Sequence, residues 1–212
     1  MASSPPNHHL FVLVHGLQGQ PGDLACLKEA LLASSSRPSV HLSTCNTERT
    51  DDGVASGGLR LAEELRAVVA ATPRATHLSV VGNSLGGLYA RYALPLLHDD
   101  ATSTVCGLVP ATFLTTATPH LGVGAYGHLS LIPRPLQRAS SLVLGKTVRE
   151  LLLCDAKPQL LLRMATEARY LRALACFQRR ILYANAVNDA LVSYETASVR
   201  DGVVLVNRSC RR

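Results

Sequence analysis

The stretch "VVGNSLGGLYARYA", residues 80–93, sets one serine, Ser84, between Gly82 and Gly86. An apolar run leads into it, and apolar residues at helical spacing follow it. Gly, Asn and Ser all favour turns, so a plain turn is one reading. The other is a nucleophile held on a sharp strand-to-helix bend, the G-x-S-x-G pattern. That chemistry accounts for the glycines. A serine forced into strained backbone angles on such a bend has neighbouring chain passing very close to it. Side chains at 82 or 86 would collide there. The bend exposes the hydroxyl at the carboxyl end of the sheet. It also leaves the Leu85 backbone N–H, at the positive end of a helix, aimed at any oxyanion that forms.

Outward from Ser84, strand-like and helix-like segments alternate. "HLFVLVHG" (9–16), "SVHLSTC" (39–45) and "HLSVVG" (77–82) read as the first three strands, short apolar runs bounded by turn residues. "ATFLTTA" (111–117), "ILYANAV" (181–187) and "GVVLVN" (202–207) read as the next three. Helices are expected over 21–34, over 58–71 and from Ser84 to about Leu96. Strands separated by single helices predict an α/β fold with a mostly parallel sheet and helices on both faces. The gap from about 119 to 179 is too long for one crossover. It holds helical segments around "TVRELLLC" and "TEARYLRALACFQRR", interrupted by Pro133, Pro135 and Pro158. A helical cap insertion over about 119–179, within a single domain spanning 1–212, is the expectation.

The first strand ends in "LVHGLQG" (13–19), an irregular glycine-containing loop after His15. In a strand-serine-helix architecture that loop supplies the second oxyanion donor, here the backbone N–H of Leu17.

Composition narrows the partners. The chain of 212 residues is 47% hydrophobic and 17% charged, with no run of about 18 apolar residues that would span a bilayer. "MASSPPNHHL" lacks the basic and apolar regions of a secretory signal. The six cysteines are scattered, without a paired or histidine-linked spacing, and read as reduced thiols of a cytoplasmic protein with no metal. A net charge of +6 with dispersed arginines, three Phe and no Trp argues against a base-stacking nucleic-acid surface. It is compatible with weak attraction to anionic membrane surfaces. "GVGAYG" (122–127) matches a dinucleotide fingerprint by letters only. It does not end a first strand, and prolines follow it, so no cofactor is expected.

Five blocks in order, "LFVLVHGLQG", "DGVASGGLRLAEEL", "VVGNSLGGLYARYAL", "LTTATPHLGV" and "ILYANAVNDALVSYETASVR", are similar to the lipase-like "putative serine esterase" family of the α/β-hydrolase superfamily. The resemblance spans residues 9 to about 205. It implies an α/β-hydrolase fold and hydrolysis of carboxylic esters, with lipid acyl esters as substrates. Contact with a membrane or lipid-droplet surface would follow from such a substrate. Asn83 stands where a histidine more often precedes such a serine.

In α/β-hydrolases the order is serine, acid, histidine. Asp189 follows the strand "ILYANAV" and matches the family block "NDALV", which makes it the candidate acid. Asp99, Asp100 and Glu195 are placed less well. The base is the difficulty. All eight histidines precede Asp189, and residues 190–212 contain none. His15 and His120 are the histidines expected near the pocket, His15 in the oxyanion loop and His120 in the pocket wall. The expectation is a chain whose C-terminal end is truncated, or a relative that binds without turning over.

Overall fold

The computed structural model describes residues 8–126, 131–143 and 145–200. Its core is a sheet of five parallel strands in the order β2-β1-β3-β6-β7. These are β1 (His9–Val14), β2 (Ser39–Leu42), β3 (His77–Asn83), β6 (Val109–Thr116) and β7 (Arg179–Tyr183). β3 lies at the centre and is buried from Leu78 to Gly82, as a strand covered on both faces must be. β7 lies at one edge of the sheet formed by the described residues, and four of its five residues are exposed. A small antiparallel hairpin, β4 (His98–Asp99) with β5 (Thr104–Val105), was not anticipated. Two-residue strands carry no periodicity to read.

Helices α1 (Ala25–Leu32), α2 (Val54–Ala70) and α3 (Leu85–Ala93) flank the sheet. α2 starts four residues before the expected 58 and runs straight through Gly57 and Gly58. The reason is packing. A Cβ on Gly57 would lie 2.2 Å from the Tyr89 ring, and one on Gly58 2.6 Å from the Tyr92 ring. The glycines cost helix propensity, and the close approach of α2 and α3 around buried Tyr89 offsets that loss.

Between β6 and β7 lies the expected helical insertion: α4 (Arg134–Val143), α5 (Lys146–Leu151), α6 (Leu160–Thr166) and α7 (Ala168–Ala175). It is tied to the sheet domain at the start of α2. There the Glu150 carboxylate accepts from Val54 N–H at 2.6 Å, and Thr147 Oγ1 accepts from Gly53 N–H at 2.9 Å. Thr147 Oγ1 also donates to Thr50 O at 2.7 Å. The first N–H groups of a helix need such partners, so α5 caps α2. Burial raises the Glu150 pKa above the ordinary carboxylate range, against the pull of Val54 N–H.

The fifth strand of the main sheet sits two residues earlier than expected, beginning at the arginine pair 179–180 and ending at Tyr183. Residues 184–193 form a loop, followed by α8 (Tyr194–Ser198). The expected strand at 202–207 lies outside the described residues. Among the described residues no helix is long and apolar enough to cross a membrane.

Candidate active site

Ser84 stands between β3 and α3 at φ 52° and ψ −124°, a backbone conformation that costs a non-glycine residue energy. Three contacts hold it there. Ser84 N–H donates to Thr116 O at 2.8 Å, Gly87 N–H donates to Ser84 O at 3.1 Å, and Thr118 Oγ1 donates to Ser84 O at 2.8 Å.

The glycines around it are explained by contact. A Cβ at Gly82 would lie 2.4 Å from Gly87 Cα, and one at Gly86 2.3 Å from Val14 O. Two further glycines belong to the same packing. A Cβ at Gly16 would meet Ser84 Cβ at 2.8 Å, and one at Gly87 would meet Thr118 Oγ1 at 2.2 Å. The loop after β1 therefore lies directly against the serine. Neither Leu17 N–H nor Leu85 N–H has a hydrogen-bond partner among the described residues.

The serine faces a cavity of about 540 Å³ with a mostly apolar wall, including Leu85, Val123, Leu151, Leu152 and Val192. Leu17, Gln18 and Leu191 complete its rim. Asp189 lies in the loop after β7, and the ends of β3, β6 and β7 are in register through Asn83, Thr116 and Tyr183. Its Oδ1 accepts from the N–H groups of Leu191 (3.1 Å) and Val192 (2.8 Å), and its Oδ2 from Asn185 Nδ2 at 2.9 Å. Both residues that donate to Oδ1 line the cavity Ser84 faces. Ser84, Leu85, Leu17 and the Asp189 loop thus converge on one end of the sheet.

The two nearby histidines do not join them. His15 is fully buried; its Nδ1–H donates to Gly16 O at 3.1 Å, and its Nε2 has no partner among the described residues. His120, 5% exposed, is held on both ring nitrogens. Arg91 NH1 donates to Nδ1 at 3.1 Å, and a guanidinium can only donate, so the proton must sit on Nε2. Nε2–H then donates to Thr115 Oγ1 at 2.9 Å. Burial, and secondarily the Arg91 charge, push its pKa down to about 3, so the ring stays neutral. Neither histidine is on the cavity wall. Of the other six, His128 lies outside the described residues, His8, His9 and His77 sit at the opposite end of the strands, and His41 and His98 face Glu64 and Asp100 instead.

Sequence reading passed over Thr118 and Arg91. Arg91 is 7% exposed on the last turn of α3 and donates to His120 and, at 3.1 Å, to Met164 O of α6. A charged residue among apolar ones at helical spacing was the available signal. Burial lowers its pKa to about 10.

A parallel sheet with a serine on the bend after its central strand, a loop of the first strand packed against it and an acid on a later loop defines an α/β-hydrolase. The profile of the family described as "Putative serine esterase (DUF676)" matches residues 4–200, and the chain belongs to that family. Among curated proteins, one from Schizosaccharomyces pombe named a "putative lipase" is 35% identical over 209 residues, covering 91% of this chain and 26% of its own length. "Putative lipase ROG1" of Saccharomyces cerevisiae is 31% identical over 205 residues, covering 90% of this chain and 28% of its own. The chain thus spans between a quarter and a third of the length of these relatives. Among solved structures, the mature lipase BlEst2 of Bacillus licheniformis superposes with a TM-score of 0.56 at 20% identity, over 89% of this chain and 70% of that one. At that identity the likeness is one of fold.

Proposed function

We propose that the chain is the catalytic domain of a serine hydrolase that cleaves carboxylic esters with lipid-like acyl groups. Ser84 Oγ attacks the ester carbonyl as its proton passes to a base, and the N–H groups of Leu17 and Leu85 receive the oxyanion; the alcohol leaves with that proton, and water then hydrolyses the acyl-enzyme. Asp189 orients an imidazole that the described residues do not supply. The observation that carries this reading is the strained Ser84 bend opening on the 540 Å³ apolar cavity. The relatives named lipases support an acyl lipid as substrate. Contact with a lipid surface follows from such a substrate and suits the exposed Leu17 and Leu191 at the rim. A fluorophosphonate probe on the protein carrying this chain tests it. Labelling that disappears in Ser84→Ala supports the assignment, and labelling that persists in that variant rejects it.

A second reading is a protein that binds an acyl ligand in the same cavity without turning it over. It is favoured by the engagement of His120 on both nitrogens and the burial of His15. Failure of the wild-type protein to react with the probe, together with retained binding of a long-chain alcohol, would establish it.

A further inference from the structure

Beside the Ser84 cavity lies a larger one of about 700 Å³, and the two share Leu17, Gln18 and Val148 as a common wall. Their linings are opposite in character. The second is faced by Gln20, Asp23, Thr47, Glu48, Thr50 and Asp51. It carries three carboxylates and, among the described residues, no lysine or arginine, on a chain of net charge +6. Asp23 has a local task, since its Oδ2 accepts from Gln20 N–H at 2.9 Å. Glu48 and Asp51 are exposed and form no ion pair among the described residues. The Thr47 hydroxyl is buried without a partner there.

The two halves of an ester diverge from its carbonyl carbon. With that carbon against Ser84 and its oxygen toward Leu17 N–H, the acyl chain occupies the apolar cavity. The leaving group would then lie toward the Leu17–Gln18 side, which the polar cavity shares. Among the described residues no three His, Cys, Asp or Glu stand close enough to hold a metal ion. An organic cation, which needs no convergent ligand set, is the positive group such a lining can take. Among the described residues no aromatic ring lines the cavity, so charge and hydrogen bonds, not a π face, would hold that cation. We propose that this second cavity receives the leaving-group half of the ester and selects a leaving group bearing a primary ammonium over an anionic one. The inference rests on the reading of Ser84 and its cavity given above.

Three non-hydrolysable ethers with one C12 chain test it: 2-(dodecyloxy)ethylamine, 2-(dodecyloxy)ethanol and (dodecyloxy)acetate. Each is titrated by calorimetry into the Ser84→Ala protein below its critical micelle concentration. The expected order is amine, then alcohol, then carboxylate, with about tenfold between the extremes at low salt and less at high salt. The overall positive charge would by itself favour the carboxylate, so the order reports the local site. In the Glu48→Gln/Asp51→Asn protein the amine should lose its advantage while the alcohol keeps its affinity. Equal affinity for all three heads, or an amine preference that survives the double substitution, overturns the inference and leaves the ester-hydrolase reading standing. Failure of even the neutral alcohol to bind overturns both, because the apolar cavity would then not accept an acyl chain.

Discussion

The hydroxyl of Thr118 donates to the carbonyl oxygen of Ser84 at 2.8 Å. That carbonyl belongs to the same planar, trans peptide unit as the N–H of Leu85, so the two point in opposite directions. By holding the carbonyl on the β6 side, Thr118 turns the Leu85 N–H away from β6, and it stays unpaired among the described residues. Thr118→Val should therefore slow fluorophosphonate labelling of Ser84 by about tenfold, below the loss caused by deleting an oxyanion donor outright. Thr118→Ser should restore most of the rate. The second-order labelling constants of the three proteins check this.

Gly86→Ala and Gly82→Ala should each cost about 2–3 kcal/mol or prevent folding, because the added Cβ would lie 2.3 Å or 2.4 Å from backbone atoms that cannot move aside. Gly22→Ala, where a Cβ meets nothing within 4 Å, should be neutral or slightly stabilising. Urea midpoints of the purified variants report the difference.

His120 should make the fold sensitive to mild acid. Its pKa is depressed from 6.5 to about 3 in the folded state, while the unfolded chain takes up a proton near 6.5. The stability contribution is therefore complete above pH 6.5 and is lost as pH falls toward 3, by up to about 1.4 kcal/mol per pH unit. His9, lowered mainly by burial and then by His77 and His8, acts in the same direction. His120→Gln retains an acceptor for Arg91 and a donor for Thr115, so its stability should fall less steeply between pH 6.5 and pH 4. Chemical denaturation across that range measures the slope.

Glu150→Ala should destabilise by about 1–2 kcal/mol, the cost of an uncapped helix start. Glu150→Gln should cost much less, since its amide oxygen still accepts from Val54 N–H and no charge remains buried. Thermal unfolding of the pair separates capping from charge.

The central strands and the Ser84 bend were legible because continuous apolar runs and a glycine-flanked serine are local patterns. Other features depend on partners distant in sequence. The start of α2 at Val54, ahead of the expected 58, depends on the rings of Tyr89 and Tyr92, which occupy the space that Gly57 and Gly58 leave. β7 starts at Arg179, and its exposed position at the edge of the described sheet tolerates charged residues that a central strand would not. The Thr118 contact joins residues separated by 34 positions, and no spacing rule announces it. His120 carries the same chemistry in sequence as a catalytic base; its burial, the guanidinium on its Nδ1 and the Thr115 hydroxyl on its Nε2 set it apart.

The capping of α2 by α5 gives the cavity a braced roof. Glu150 and Thr147, which hold the start of the 17-residue helix, alternate with Val148 and Leu151, which face the cavity, on one short helix. Swinging that roof outward would strip α2 of two hydrogen bonds at once, so the wall behaves as a strut and not as a hinged door. Displacing that wall therefore also leaves the first N–H groups of α2 without their partners.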